Sequence, residues 1–363
     1  MGVIAILLVT LGCSDAGAPD GPASASPEVV AGSSDSDAHG RSSVPWPIAP
    51  ARIDRISSKL PRADSKLPNA FPPDDSVLPD LLAEPPGRAL MAYHPRESFD
   101  DRGAWEAETV FFLGLDGEWR SLKMQSLGLP ASTHPGVDTY GAGELSPDGT
   151  TWAAPTAAGI VLLDLLTVRP REVALPGDHT RYLRWRPDGR SINVMRLHGA
   201  STQKTWALDP QTAKFRRASY VLPIDGFAAN GSVVTFTRRG DKTVRTVHRD
   251  QAELRTVVAL PHRLARRGAA VGRDHAVFGY NRELVAVEKQ SWAPVARLRL
   301  GRGEAAGWPR GWLDDDTLWF YESTRGLITW NVDDGQTRAL TRVTPAPRPD
   351  TYWSASVAVD LLR

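Results

Sequence analysis

The sequence predicts an all-β fold, a six-bladed β-propeller of four-stranded antiparallel blades closed by its C-terminal strand, and three observations predict it. The first is a recurring turn: Leu145 to Trp152 reads LSPDGTTW and is echoed by RWRPDGRSINV, so that Asp148 and Asp188 stand 40 apart, with Asn230, Gly272 and Asp314 following at steps of 42. The second is apolar alternation flanking each turn in a kept register, since Val194, Phe236, Phe278 and Phe320 are each 42 residues from the next. A period in the low forties with strand-type alternation is the signature of four-stranded propeller blades. The third is WSASVAVDLL at the C-terminus, an alternating run without a neighbour in sequence to pair with. It is available to complete the blade at the other end of the chain and leave no long open edge.

Taken in order, the chain begins with residues 1–13, MGVIAILLVTLGC, whose apolar run is too short to span a hydrocarbon core but suits a signal-peptide core. It ends in Leu11-Gly12-Cys13-Ser14, which resembles the lipobox of bacterial lipoproteins and makes Cys13 the expected lipidation site. Thr10 and Leu11 depart from that pattern, and a membrane-spanning anchor or a chance apolar terminus are the alternatives. Residues 14–50 are rich in Ser, Gly, Ala, Pro and Asp and poor in large apolar side chains, so they are expected to form a disordered linker. Residues 51–86 mix Ile53, Ile56, Leu60, Leu67, Phe71 and Leu78 with many prolines, a composition expected of an extended segment packed on the propeller.

The propeller is expected to occupy residues 87–363. ALMAYH, TVFFLGL and WRSLKM supply three strands of a first blade that lacks its innermost strand, and WSASVAVDLL is the missing one. Five complete blades follow, at about 140–176, 180–222, 225–261, 268–301 and 308–343. Asp164, Asp209 and Asn331 are placed to bond the amides of the turns between third and fourth strands. Eight tryptophans (152, 185, 206, 292, 312, 319, 330 and 353) fall in predicted strands, where large rings fill the space between blades.

Lys and Arg number 43 against 42 for Asp and Glu, a net charge of +1 that supplies no overall attraction to nucleic acid. Cys13 is the single cysteine, so no disulfide or thiolate metal site is expected in the propeller. The SPDG and RPDG turns and the LDPQTAKF and NVDDGQTRAL hairpins resemble those of bacterial TolB-like and WD-repeat-like propellers, in particular extracytoplasmic six-bladed ones anchored at the N-terminus. The resemblance spans residues 87–362 and implies a scaffold for interactions, since such turns are not catalytic.

Signatures of enzymes are weak. SPDGTTW falls one residue short of a sialidase-type Asp box, itself a structural hairpin, and no Gly-x-Ser-x-Gly, His-Glu-x-x-His or P-loop is present. The run Asp314-Asp315-Asp316 lacks the spaced ligands of a calcium loop and is read as a solvated turn. A non-enzymatic protein-interaction or ligand-binding module is therefore expected, without cofactor or metal, with a propeller hydrolase or lyase acting on a glycan or lactone as the alternative. The chain is expected to be a monomer, held outside the cytoplasm on the bacterial cell membrane by its N-terminal anchor, with a cell-envelope protein as partner. The predicted contact residues lie in the loops joining one blade to the next: His179, His262, Trp308, Arg310 and Arg348.

Overall fold

The structure, a computed structural model, describes residues 51–57, 59–73, 78–96, 109–128, 143–156, 159–175, 180–198, 202–218, 220, 226–228, 231–239, 242–249, 252–258, 260, 264, 269–280, 282–300, 308–322, 324–344 and 352–362. Its strands are β1 (Arg52–Arg55), β2 (Ala70–Phe71), β3 (Ala89–Arg96), β4 (Thr109–Gly114), β5 (Trp119–Lys123), β6 (Glu144–Leu145), β7 (Thr151–Pro155), β8 (Gly159–Asp164) and β9 (Arg169–Ala174). They continue with β10 (Thr180–Trp185), β11 (Ile192–His198), β12 (Thr202–Leu208), β13 (Phe215–Arg217), β14 (Gly226–Phe227), β15 (Val233–Arg239), β16 (Lys242–Arg249) and β17 (Ala252–Val258). The rest are β18 (Ala269–Val271), β19 (His275–Tyr280), β20 (Glu283–Glu288), β21 (Pro294–Arg299), β22 (Trp308–Trp312), β23 (Thr317–Glu322), β24 (Gly326–Asn331), β25 (Thr337–Val343) and β26 (Tyr352–Val357), with one short helix, α1 (Val359–Leu362).

Six sheets result. Blade 1 has the order β26-β3-β4-β5, and blades 2 to 6 take the consecutive sets β6–β9, β10–β13, β14–β17, β18–β21 and β22–β25. Neighbouring strands within each blade are antiparallel. This is the six-bladed propeller that the period predicts. Closure also follows the sequence: β26 pairs with β3 from Tyr352↔Arg96 to Val357↔Met91. The alternating run stops being a strand at Val357, however. The Ala358 amide donates to the Leu90 carbonyl at 3.0 Å, and the chain then coils into α1, where Leu361 is buried and the Asp360 amide reaches the Pro147 carbonyl of blade 2 at 3.1 Å.

The register residues explain the cohesion. Val194, Phe236, Phe278 and Phe320 occupy the second strands of blades 3 to 6 and are all buried. Six of the eight predicted core tryptophans are buried, while Trp206 and Trp312 are half-buried. Trp292 lies in a hairpin turn at φ 60° instead of in a strand. Five apolar clusters join blades 1 and 2, 2 and 3, 4 and 5, 5 and 6, and 6 and 1.

Between blades 3 and 4 the described buried residues include polar ones, Asn193, Thr235 and His248, beside Val233 and Val244, with the Tyr220 hydroxyl donating to Asn193 and the Tyr220 and His248 rings 4.9 Å apart. Ahead of the propeller, β1 adds in parallel to β21 and β2 to β25, giving blades 5 and 6 a fifth strand. Leu60, Leu67, Phe71 and Leu81 bury their side chains against the blades. Among the described residues no helix is long and apolar enough to cross a membrane.

Candidate functional site at the central channel

Antiparallel order sends successive connections to opposite ends of each blade. The first and third turns of every blade therefore share one mouth of the channel, and the loops between blades share the other. The shared-mouth turns are built by short acidic and amide side chains. Asp148 Oδ1 accepts from the Thr150 amide at 3.1 Å and from the Ser146 hydroxyl at 2.6 Å, and Asp188 Oδ1 accepts from the Arg190 amide at 3.0 Å. Burial opposes ionisation of Asp148, but the hydrogen bonds from Ser146 and Thr150 outweigh it and leave its carboxyl below the ordinary range. In the third turns Asp164 accepts from the Leu166 and Thr167 amides, Asp209 from those of Gln211 and Thr212, and Asn331 from those of Asp333 and Asp334. These groups are structural.

The channel holds a cavity of about 960 Å³ walled by the innermost strands of all six blades and by first-turn residues such as Pro147, Pro187 and Gly272. Three of its charged lining residues come from one position of the repeat. Glu144, Arg184 and Arg310 each stand four residues before the turn residue of their blade, Asp148, Asp188 and Asp314. Each is held. Glu144 Oε2 accepts from the Trp185 amide at 3.1 Å, and the Trp185 indole donates back to the Glu144 carbonyl at 2.9 Å, locking blade 2 to blade 3. The Leu145 amide donates to Ser356 Oγ at 2.9 Å, tying blade 2 to the closing strand. Arg184 of blade 3 donates to the Arg310 carbonyl of blade 6, the blade opposite in a ring of six, so its side chain crosses the channel. Arg310 lays its guanidinium over the Tyr321 ring, 4.8 Å from the centroid, and its Nε is buried without a hydrogen-bond partner among the described residues.

Of the residues singled out from sequence, Arg310 is thus part of the channel wall and belongs to β22 rather than to a loop. Trp308 opens the same strand, paired with Tyr321. Cys13, His179, His262 and Arg348 lie outside the described residues. Sequence reasoning missed Glu144 and Arg184, although the repeat register that aligns them with Arg310 was there to be read.

No protein-family model and no curated protein matches the chain. Solved structures similar to it include TolB from Acinetobacter baumannii, at 13% identity and TM-score 0.47, covering 72% of this chain and 66% of that one. The propeller domain of the trilobed protease from Pyrococcus furiosus is similar at 15% identity and TM-score 0.42 over 69% and 81% of the two chains. Acylaminoacyl peptidase from Pyrococcus horikoshii is similar at 15% identity and TM-score 0.39 over 73% of this chain and 54% of that one. The chain thus spans less than two thirds of the length of the first and third, and at these identities the likeness is one of fold.

Proposed function

We propose that this chain is a non-enzymatic binding module, anchored outside the cytoplasm through Cys13, whose central channel receives a segment of a cell-envelope protein. The observation that carries the reading is the cavity of about 960 Å³, walled by six innermost strands and carrying both signs of charge. Its charged groups serve the scaffold: Glu144 and Arg184 tie blades together, Asp314 caps its own turn through the Asp316 and Thr317 amides, and Asp315 pairs with Arg273 at 2.9 Å. Such a wall offers hydrogen-bonding edges and one aromatic-backed cation, Arg310, to an incoming chain.

The test is site-directed photo-crosslinking of the full chain in its own membranes. A partner captured from position 308 or 310 and lost in Arg310→Ala supports the reading. Capture only from the turns at Asp148, Asp188 and Asp314 moves the contact to the other mouth, and turnover of a glycan or lactone abolished by changing His179 replaces the binding role with the enzymatic one. Anchoring is tested separately: Cys13→Ser is expected to release the protein from membranes.

A further inference from the structure

The acidic run Asp314-Asp315-Asp316 reads in sequence as a solvated turn, and two of its three carboxylates behave so. Asp314 accepts from the Asp316 amide at 2.9 Å and the Thr317 amide at 2.6 Å, and Asp315 is engaged by Arg273 at 2.9 Å. Asp316 is different. Its carboxylate accepts no hydrogen bond from a described residue, although it is half-buried. It sits where three segments of two blades converge: the first turn of blade 6, the third turn of blade 6 with Asp333, and the start of β19 in blade 5 with His275. One ligand-type atom from each of His275, Asp316 and Asp333 lies within 4.8 Å of the other two. His275 Nδ1 is sealed from solvent and has no hydrogen-bond partner among the described residues, an arrangement that costs free energy unless something occupies the nitrogen.

The neighbouring cation is already committed elsewhere. Arg52 binds Asp54 at 2.8 Å, the Val332 carbonyl at 2.6 Å and the Asp333 carbonyl, which leaves the Asp333 carboxylate oxygens unpaired among the described residues.

We propose that His275, Asp316 and Asp333 form a binding site for a first-row divalent transition-metal ion of the Zn²⁺ or Mn²⁺ class, joining blade 5 to blade 6 at the mouth ringed by the first turns. One imidazole and two carboxylates favour such ions over Ca²⁺ and Mg²⁺, which take oxygen ligands almost exclusively. Metal bonds of about 2.0–2.2 Å draw three ligand atoms to about 3–4 Å of one another. Asp333, on an exposed turn, has the freedom to close that gap. Three protein ligands leave coordination positions for water or for a side chain of a bound protein. The site goes beyond the channel reading and is independent of it.

The experiment is calorimetric titration of the full, tag-free chain, stripped with chelator, with ZnCl₂, MnCl₂ and CaCl₂ in turn. We expect one saturable Zn²⁺ or Mn²⁺ site whose affinity falls tenfold or more in Asp316→Asn and in His275→Gln, and stays within twofold in Asp315→Asn. The exposed Asp333→Asn, expected to fold even if a substitution at His275 does not, should lose affinity to the same degree. Unchanged binding in the Asp333→Asn and Asp316→Asn variants, or no saturable binding by the parent chain, overturns the site. Tighter binding of Ca²⁺ than of either transition ion overturns the assigned class.

Discussion

At the scale of single residues, the third turns of the blades repeat one solution: four residues after the strand-ending polar residue, the chain passes through a left-handed conformation. Val168 (φ 47°), Ala213 (φ 58°), Trp292 (φ 60°) and Gly335 (φ 79°) occupy this position in blades 2, 3, 5 and 6. In blades 3, 5 and 6 the left-handed residue donates its amide back to the residue four earlier, at 2.9, 2.7 and 3.0 Å. Three of the four blades hold an ordinary side chain there, so backbone strain alone is tolerated. Gly335 is more constrained, because a Cβ at that position would lie 2.5 Å from Asp54 Oδ1 of the docked strand β1. Gly117, at φ 83° in blade 1, has open space around the same atom. Gly117→Ala is therefore expected to cost about 1 kcal/mol, the backbone effect. Gly335→Ala should cost at least about 1 kcal/mol more, because the clash adds to it. Equal losses in chemical denaturation would show that β1 yields without resistance.

At the scale of elements, two additions distinguish this ring from five four-stranded blades and a three-stranded sheet. Strand β26 gives the first blade its innermost edge, and β1 and β2 cover the outer edges of blades 5 and 6. Val357, at the end of β26, is buried among Leu90, Met91, Ala358 and Leu361. Asp164, Asp209 and Asn331 were legible as turn-makers because their bonds span only two or three residues. The parallel pairing of β1 was not, because its partner β21 lies far along the chain. Val357→Asp places an unpaired carboxylate in that cluster and is expected to cost roughly 3 kcal/mol or more. Removing residues 352–363 should do more, leaving the edge of β3 open to pairing with a second chain. Size-exclusion chromatography of the truncated protein would then show self-association, and a monomer of unchanged stability would mean that the clasp does not close the ring.

At the scale of the whole molecule, the blade interfaces are unequal. Five are sealed by apolar clusters, while between blades 3 and 4 the Tyr220 ring packs on His248 at 4.9 Å, each side chain held by a hydrogen bond within its own blade, Tyr220 to Asn193 and His248 to Thr235. His248 shares a hydrogen bond with Thr235 Oγ1 at 2.9 Å and faces Glu253 at 3.5 Å. Burial depresses its imidazole below the usual 6.5, with Arg255 adding to the effect and Glu253 opposing it. A depressed histidine binds fewer protons folded than unfolded. Its contribution is therefore present above the ordinary value and is lost as pH falls below it. Protection against hydrogen exchange, taken relative to the intrinsic amide rate at each pH, is expected to fall first in β10–β17 on going from pH 7.5 to pH 5.5, and His248→Gln should remove most of that difference. A uniform loss of protection around the ring would mean that this interface is no weaker than the others.

What the sequence determined by itself is the repeat: the period, the strands around each Pro-Asp-Gly-type turn, the count of blades and the orphan strand that closes them. These are local signals, carried by alternation over a few residues and by turn chemistry within four, and local physics suffices to read them. The aligned position of Glu144, Arg184 and Arg310 was equally local and marks the channel wall. Only tertiary structure decided what those positions do. Closing the ring brings Arg184 to the carbonyl of the opposite blade, lays Arg310 on Tyr321, and gathers His275, Asp316 and Asp333 from two blades. None of these contacts follows from spacing along the chain, because each depends on how blades that are separate in sequence stack around a common axis.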